Sequence, residues 1–481
     1  MHLWTAAETA SRLQAREVSA REVAEAALDR IKETEPKLGS FLALDEEWTL
    51  SQADKAQTLL DTGCASPLTG VPIAIKDNIC TKGVATTCAS RILEGFVPPY
   101  SATVVQKLET QGVVMAGKTN LDEFAMGTSC ENSAYQLSRN PWDQERSPGG
   151  SSGGSAAAVG GCQTPLSLGS DTGGSIRMPA SLCGIVGFKP TYGRVSRWGL
   201  VAFGSSLDQI GPFGRTVEDA ALLASAISGH CPLDSTSLPH PSINVTDLKS
   251  GSLRGLKLGV PKELFGSEVH PTVLESLSKA MDILKTEGVE FRQITLPSLK
   301  LGVTTYYIIA PSEASSNLAR FDGIRYGPRI EEGGHNDSTA ATRGRLFGHE
   351  VKLRIMVGTY ALSAGYYDAY YHKAQQVRGL MSDEIDEALK DVDFLFSPTS
   401  PVTAFKLGEL KDDQMALKLL DLCTIPANMG GFPAISIPCG MAGSLPVGMQ
   451  LMGRVLGDEA LLQAAFSCER ALPGIGFAPI A

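Results

Sequence analysis

Apolar residues recur along this chain in two alternating rhythms. Val23, Ala27, Leu28 and Ile31 fall three and four residues apart, as on one face of a helix, and Ser19-Ala-Arg-Glu22 ahead of them is a capping box. The pattern reads as helical across 3–62, with a second helix at 46–61 that Gly63 ends. At 71–75 the rhythm changes. Val71-Pro-Ile-Ala-Ile75 is a short continuous apolar run, the mark of a buried strand, and Lys76-Asp77-Asn78 closes it. Segments then alternate: helix at 102–110, strand at 113–116, and a helix opened by Asn120-Leu-Asp-Glu123 with its N-cap and a carboxylate three residues on. A strand follows at 185–188, then Gly-rich sequence to Gly214, a helix at 216–228, and a Pro/Ser-rich surface loop at 229–252. Further strands fall at 255–260, 291–296, 392–396, 434–438 and 447–452, with helices at 273–287 and 458–472. Alternating strands and helices predict an α/β protein whose large mixed β-sheet is covered by helices. With no internal repeat and no clean break, one domain over 1–481 is expected, with a helical N-terminal layer at 1–65 and core motifs at 70–215.

Composition narrows the class. A chain of 481 residues with 43% hydrophobic content can bury a large core. The formal charge of −10 and pI near 5.3 argue against extensive phosphate contacts by the chain itself. Ten scattered cysteines with no Cys-x-x-Cys spacing are no disulfide framework, and suit a reducing cytosol. No signal peptide and no run of eighteen apolar residues are read, so a cytoplasmic protein without a membrane span is expected.

Two Gly-Ser clusters dominate the chemistry: Gly149-Gly-Ser-Ser-Gly-Gly-Ser155, then a short apolar link, then Gly169-Ser-Asp-Thr-Gly-Gly-Ser-Ile-Arg177. Glycine at this density lets backbone approach a ligand closely, and consecutive free N–H groups form anion sites. A serine there is a candidate nucleophile beside its own oxyanion hole. A flexible linker would stay polar, whereas both clusters run into apolar periodic sequence.

Three familiar signatures fail on context. Gly112 to Thr119 fits a Walker A loop, yet its middle residues are apolar and strand-like. Gly149-Gly-Ser151-Ser-Gly153 fits a hydrolase elbow, but loop sequence precedes it where a strand is required. Asp61-Thr-Gly63 and Asp171-Thr-Gly173 resemble the loops of aspartic proteases, but the first ends a helix. Of seven histidines none lies between 3 and 229, and no cluster has zinc-ligand spacing, so no metal site is expected. A serine nucleophile would therefore need a base other than histidine. Lys76 ends a buried strand. To be neutral at pH 7 its pKa must fall by roughly three units, about 4 kcal/mol, which burial can supply. An isolated lysine in a turn is ordinarily a surface residue; its company here changes that.

Gly70-Val-Pro-Ile-Ala-Ile-Lys76-Asp-Asn78, Ser151 in the first cluster and Ser175 in the second stand in the order and spacing of the amidase-signature family, which the chain resembles over nearly its whole length. The resemblance implies the fold of that family and a Ser–cisSer–Lys triad: Ser175 the nucleophile, Ser151 a proton relay after a cis peptide bond, and Lys76 the base. It implies an oxyanion hole from the N–H groups of Thr172, Gly173, Gly174 and Ser175. Arg177 and Asp171 are expected to brace the loop. Where the family often has Gln after Ser-Ile-Arg, this chain has Met178.

Within the family the chain is most similar to the glutaminase subunits of three-subunit tRNA-dependent amidotransferases. The likeness is carried by Lys118-Thr-Asn-Leu-Asp-Glu-Phe-Ala-Met126, Tyr306-Tyr-Ile-Ile-Ala310, Glu313-Ala-Ser-Ser-Asn-Leu-Ala-Arg-Phe-Asp-Gly323 and Gly365-Tyr-Tyr-Asp-Ala-Tyr-Tyr371. It implies that Arg354 pairs with a glutamine α-carboxylate, Asp421 with its α-ammonium, and that Tyr306 lines the pocket. It also implies B and C subunits as partners, Glu-tRNA(Gln) held mainly by a partner, ATP and Mg²⁺ used by the partner, and no cofactor in this chain. Two other readings stand beside it: a stand-alone amidase of the same family acting on other small amides, and a non-catalytic scaffold that kept the fold.

Overall fold

Eleven strands form one mixed sheet in a computed structural model that describes residues 1–480. Ala481, the last residue of the predicted domain, lies outside the described residues. The strands are β1 (Phe41–Ala43), β2 (Pro72–Lys76), β3 (Val114–Thr119), β4 (Leu166–Asp171), β5 (Val186–Lys189), β6 (Gln209–Gly214), β7 (Lys257–Pro261), β8 (Glu290–Ile294), β9 (Phe394–Pro398), β10 (Ala434–Ala442) and β11 (Leu445–Met452). Their spatial order is β1-β3-β2-β4-β6-β5-β10-β11-β9-β7-β8. β2 lies between β3 and β4, parallel to both; the centre from β4 to β9 is antiparallel, and β9, β7 and β8 are again parallel. Every residue of β2, β3, β4 and β6 is buried, but only β2 reads as a nearly continuous apolar run; β3, β4 and β6 carry Lys, Ser, Asp or Gln as well.

The N-terminal helices Ala6–Gln14, Ala20–Leu38 and Glu46–Asp61 form the expected layer. Ser19 and Glu22 make the capping box, and Gly39 ends its helix at φ +59°. Leu13, Val23, Ala53, Ala56 and Leu60 from this layer pack on Ile73, Ile75 and Val114. A second core under helices Pro271–Thr286 and Asp458–Ala471 covers β7, β9, β10 and β11. A third gathers helices Gly302–Asn317, His349–Leu362 and Lys373–Asp391.

The structure corrects the sequence reading at several points. Residues 3–62 are not helical throughout, since β1 interrupts them and pairs with β3. The apolar link between the Gly-Ser clusters is helix Gly153–Gly160 followed by β4, and the Gly-rich stretch contains β6. No helix opens at Asn120. Only a short turn, Glu123–Ala125, forms, with Phe124 at φ +51°. The side chains that suggest a cap are used across the loop instead. Asn120 donates to the carbonyl of Gln136 and the hydroxyl of Ser138, while Asp122 accepts from the amides of Cys130 and Asn132. Among the described residues no helix is long and apolar enough to cross a membrane.

Candidate active site

Lys76 is the last residue of β2, in register with Thr119 of β3, and its side chain is fully buried. Its Nζ lies 2.8 Å from Ser151 Oγ, 2.8 Å from Ser152 Oγ and 3.0 Å from Ser170 Oγ. Three hydroxyls suit either protonation state. An ammonium donates to all three; a neutral amine donates to two and accepts from the third. Burial pulls the Lys76 pKa down to about 7, against the opposing pull of Asp122, Asp171 and Asp208. Asn78 Nδ2 donates to Ser170 Oγ at 2.9 Å and holds that hydroxyl in place.

The peptide bond between Gly150 and Ser151 is cis. The amide of Asp122 donates to the Ser151 carbonyl at 3.1 Å, and that of Ser152 donates to the Ser175 carbonyl at 3.3 Å, so the two Gly-Ser clusters lie side by side. Ser175 stands just ahead of helix Arg177–Cys183 and is 8% exposed, the least enclosed of the three predicted residues, since Lys76 and Ser151 are both at 0%. The structure thus brings Lys76 to Ser151 by direct contact and sets Ser175 alongside.

The loop Thr172–Gly174 is built by close approach. A Cβ on Gly173 would meet the Tyr306 ring at 2.7 Å, and one on Gly174, at φ +149°, would overlap Thr424 Oγ1. Only glycine fits at either position. Thr424 Oγ1 donates to the Gly173 carbonyl at 2.7 Å, and the amides of Thr172, Gly173, Gly174 and Ser175 donate to no acceptor among the described residues. Free, oriented N–H groups beside a serine are what an oxyanion requires. Asp208 steadies the loop from behind, accepting from Thr172 Oγ1 at 2.6 Å and from the amides of Phe203 and Gly204; burial pushes its carboxyl up to about 6.

Arg177 is fully buried and reaches both oxygens of Asp171 at 3.0 Å, the Thr424 carbonyl, Gln450 and Asn428. Burial alone would raise the Asp171 carboxyl, but Arg177, Lys189 and Asn428 together outweigh it and the net shift is downward. This pair is a brace from β4 to the segment around Thr424. The Walker-like Lys118 lies inside β3, paired with Asp77 at 3.1 Å and bonded to Thr86, so it braces the turn after Lys76.

A cavity of about 680 Å³ opens beside this machinery, lined by Thr128, Ser129, Tyr307, Glu350, Arg354 and Lys418 among others. Arg354 is 6% exposed and donates from Nε to Glu350 at 2.7 Å. Burial alone would lower its pKa, but Tyr307 and Glu350 outweigh it, so the guanidinium stays charged. Asp421 is 5% exposed and reaches the cavity through Tyr307, whose hydroxyl donates to Oδ2 at 3.4 Å. Burial pushes the Asp421 carboxyl up to about 8, against the pull of Arg354. Tyr306 does not line this cavity; its ring packs over Gly173.

Sequence reasoning missed Ser152, Ser170, Asn78, Asp122, Asp208, Thr424 and Tyr307. Ser152, Ser170, Asn78, Asp122 and Tyr307 sit inside or beside the motifs named above, so adjacency is the available signal; Asp208 and Thr424 have only their position in space. The sequence profile described as Amidase matches residues 22–462. The chain belongs to the amidase signature family. Among members of that family it is 56% identical to a Microcystis aeruginosa protein named as the A subunit of glutamyl-tRNA(Gln) amidotransferase, over 95% of each chain. It is 52% identical to one of the same name from Chloroflexus aggregans, over 98% of this chain and 96% of the other. A crystal structure of the protein of that name from Thermotoga maritima superposes with a TM-score of 0.83 at 42% identity, covering 99% of this chain and 97% of that one. A peptide amidase from Stenotrophomonas maltophilia superposes with a TM-score of 0.82 at 28% identity, covering 99% of both.

Proposed function

We propose that this amidase-signature chain is the glutamine-hydrolysing component of a tRNA-dependent amidotransferase. The observation that carries the proposal is the buried lysine–serine contact beside a cavity lined by one buried cation, Arg354, and by Tyr307, whose hydroxyl reaches the buried carboxyl of Asp421 behind it. A free amino acid presents one charge of each sign, and glutamine adds the carboxamide. Relatives named as the A subunit of glutamyl-tRNA(Gln) amidotransferase, at 52% and 56% identity over nearly full length, support the same reading.

In this reading neutral Lys76 takes the Ser151 proton while Ser151 takes the Ser175 proton. Ser175 Oγ bonds to the carboxamide carbon, and the oxyanion is held by the amides of Thr172, Gly173, Gly174 and Ser175. The proton returns through Ser151 to the leaving nitrogen, the C–N bond breaks, and ammonia departs from a glutamyl ester on Ser175. Water, deprotonated by the same relay, cleaves the ester to glutamate. The chain needs no cofactor for these steps. B and C subunits complete a heterotrimer in the cytoplasm; the partner uses ATP and Mg²⁺ to activate Glu-tRNA(Gln), and the ammonia amidates it.

The competing reading, a stand-alone amidase on other small amides, is separated by partner dependence. Glutaminase turnover is measured for the chain alone, with the partner subunits, and with Glu-tRNA(Gln) added. A rise at each addition is expected. Turnover that is full without partners and indifferent to charged tRNA supports the stand-alone reading.

A further inference from the structure

Tyr307 touches both groups that the preceding proposal assigns to the ends of an amino acid. The Arg354 guanidinium carbon lies 5.3 Å from the centre of the Tyr307 ring and 5.5 Å from that of Phe203, within cation–π range of both. On the same ring, Lys418 Nζ lies 5.3 Å from the centre. The Tyr307 hydroxyl is the donor to Asp421 Oδ2 at 3.4 Å, a long contact of the sort that tightens when a ligand draws the carboxylate inward. Its neighbour Tyr306 meets it edge to face, with ring centres 5.1 Å apart, and packs over Gly173 of the Thr172–Gly174 loop. One aromatic side chain therefore contacts both the cation and the carboxyl.

We infer that Tyr307 is a positioning residue that sets selectivity for an α-amino acid over simpler amides: its ring fixes the guanidinium that reads the α-carboxylate, and its hydroxyl aims the carboxyl that reads the α-ammonium. The inference rests on the glutamine reading and extends it to a residue outside the expected pocket set. Tyr307 itself neither donates nor accepts a proton in the chemistry. The two contacts are separable. Tyr307→Phe keeps the ring and removes only the hydroxyl; Tyr307→Leu removes both.

The test uses the chain assembled with its partner subunits and three amides: glutamine, 4-carbamoylbutanoate, which lacks the α-amine, and 4-aminobutanamide, which lacks the α-carboxylate. For Tyr307→Phe the KM for glutamine is expected to rise about five- to tenfold, the loss of one hydrogen bond to the Asp421 carboxyl, with kcat within about twofold. Preference for glutamine over 4-carbamoylbutanoate falls by the same factor, while preference over 4-aminobutanamide is kept. Tyr307→Leu lowers both preferences. Variants that lose activity on all three amides in equal proportion, or on none, overturn the positioning role. Wild-type enzyme without preference for glutamine over either analogue overturns the glutamine reading itself, and this inference with it.

Discussion

At the scale of single residues, the proposed catalysis turns on the charge of Lys76. A fully buried amine with a pKa near 7 is about half neutral at pH 7, and only the neutral form can take a proton from Ser151. Below pH 7 the ammonium dominates, so kcat at saturating glutamine is expected to fall about tenfold per unit as pH drops and to level off above the Lys76 value, while the Asp421 carboxyl, pushed up to about 8, acts on kcat/KM. The carboxyls facing the amine, Asp122 and Asp208, are pushed up to about 6, and Asp171 is held down by Arg177. They titrate below the amine and do not place a limb at 7. Lys76→Ala should abolish that limb and lower the rate about 10²- to 10⁴-fold with the fold retained, as circular dichroism would report. A flat profile through pH 7, or near-normal turnover by the variant, contradicts the role. This chemistry is legible in the sequence because its residues sit in dense local motifs. Ser152 and Ser170 lie inside those motifs, where nothing separates them from their neighbours until the fold points them at the amine. Asp208 and Thr424 reach the same loop from 36 and 251 positions away, and nothing in their local sequence marks them.

Helices and loops, one scale up, set where those residues stand. The pattern after β3 predicts a helix; instead Glu123 turns inward, accepting from Ser90 Oγ and, at 2.8 Å, from the amide of Gly348 at the start of helix His349–Leu362. That helix carries Glu350 and Arg354 into the cavity. Burial pushes the Glu123 carboxyl up to about 7, so a neutral amide in its place keeps the acceptor. Glu123→Ala is expected to cost about 1–3 kcal/mol of stability in denaturant titration and to raise the KM for glutamine, while Glu123→Gln keeps most of both. Equal loss in the two variants would mean that charge, not the bond to Gly348, is what matters. Helix Gly302–Asn317 shows why the third core escapes sequence reading. It is buried on several sides, at Thr305, Tyr306, Ile309, Ala310, Ser312 and Ala314, so its apolar positions trace no single stripe, and Pro311 sits inside it. The amphipathic helices at Ala20–Leu38 and Pro271–Thr286, with one wet face each, are legible for the opposite reason.

Over the whole molecule, one sheet runs from β1 beneath the N-terminal helices to β8, and the candidate site lies where β2, β4 and the loop before helix Arg177–Cys183 converge. A net charge of −10 leaves little to grip a polyanion. The chain alone is therefore expected to bind tRNA no more tightly than the about 10⁻⁴–10⁻⁶ M of non-specific association at physiological salt, as fluorescence anisotropy would show, with tighter binding only in the assembled complex. A submicromolar Kd for the isolated chain would contradict that division of labour. The claim that joins fold, site and partners is that ammonia is released at Ser175 and consumed elsewhere. It is tested most directly by assembling Ser175→Ala with the partner subunits and measuring Gln-tRNA formation from Glu-tRNA(Gln) and ATP, once with glutamine and once with ammonium as nitrogen donor. No product from glutamine and wild-type yield from ammonium are the expected results. Product formed from glutamine at a near-normal rate would contradict the claim, as would loss of the ammonium reaction in an intact complex.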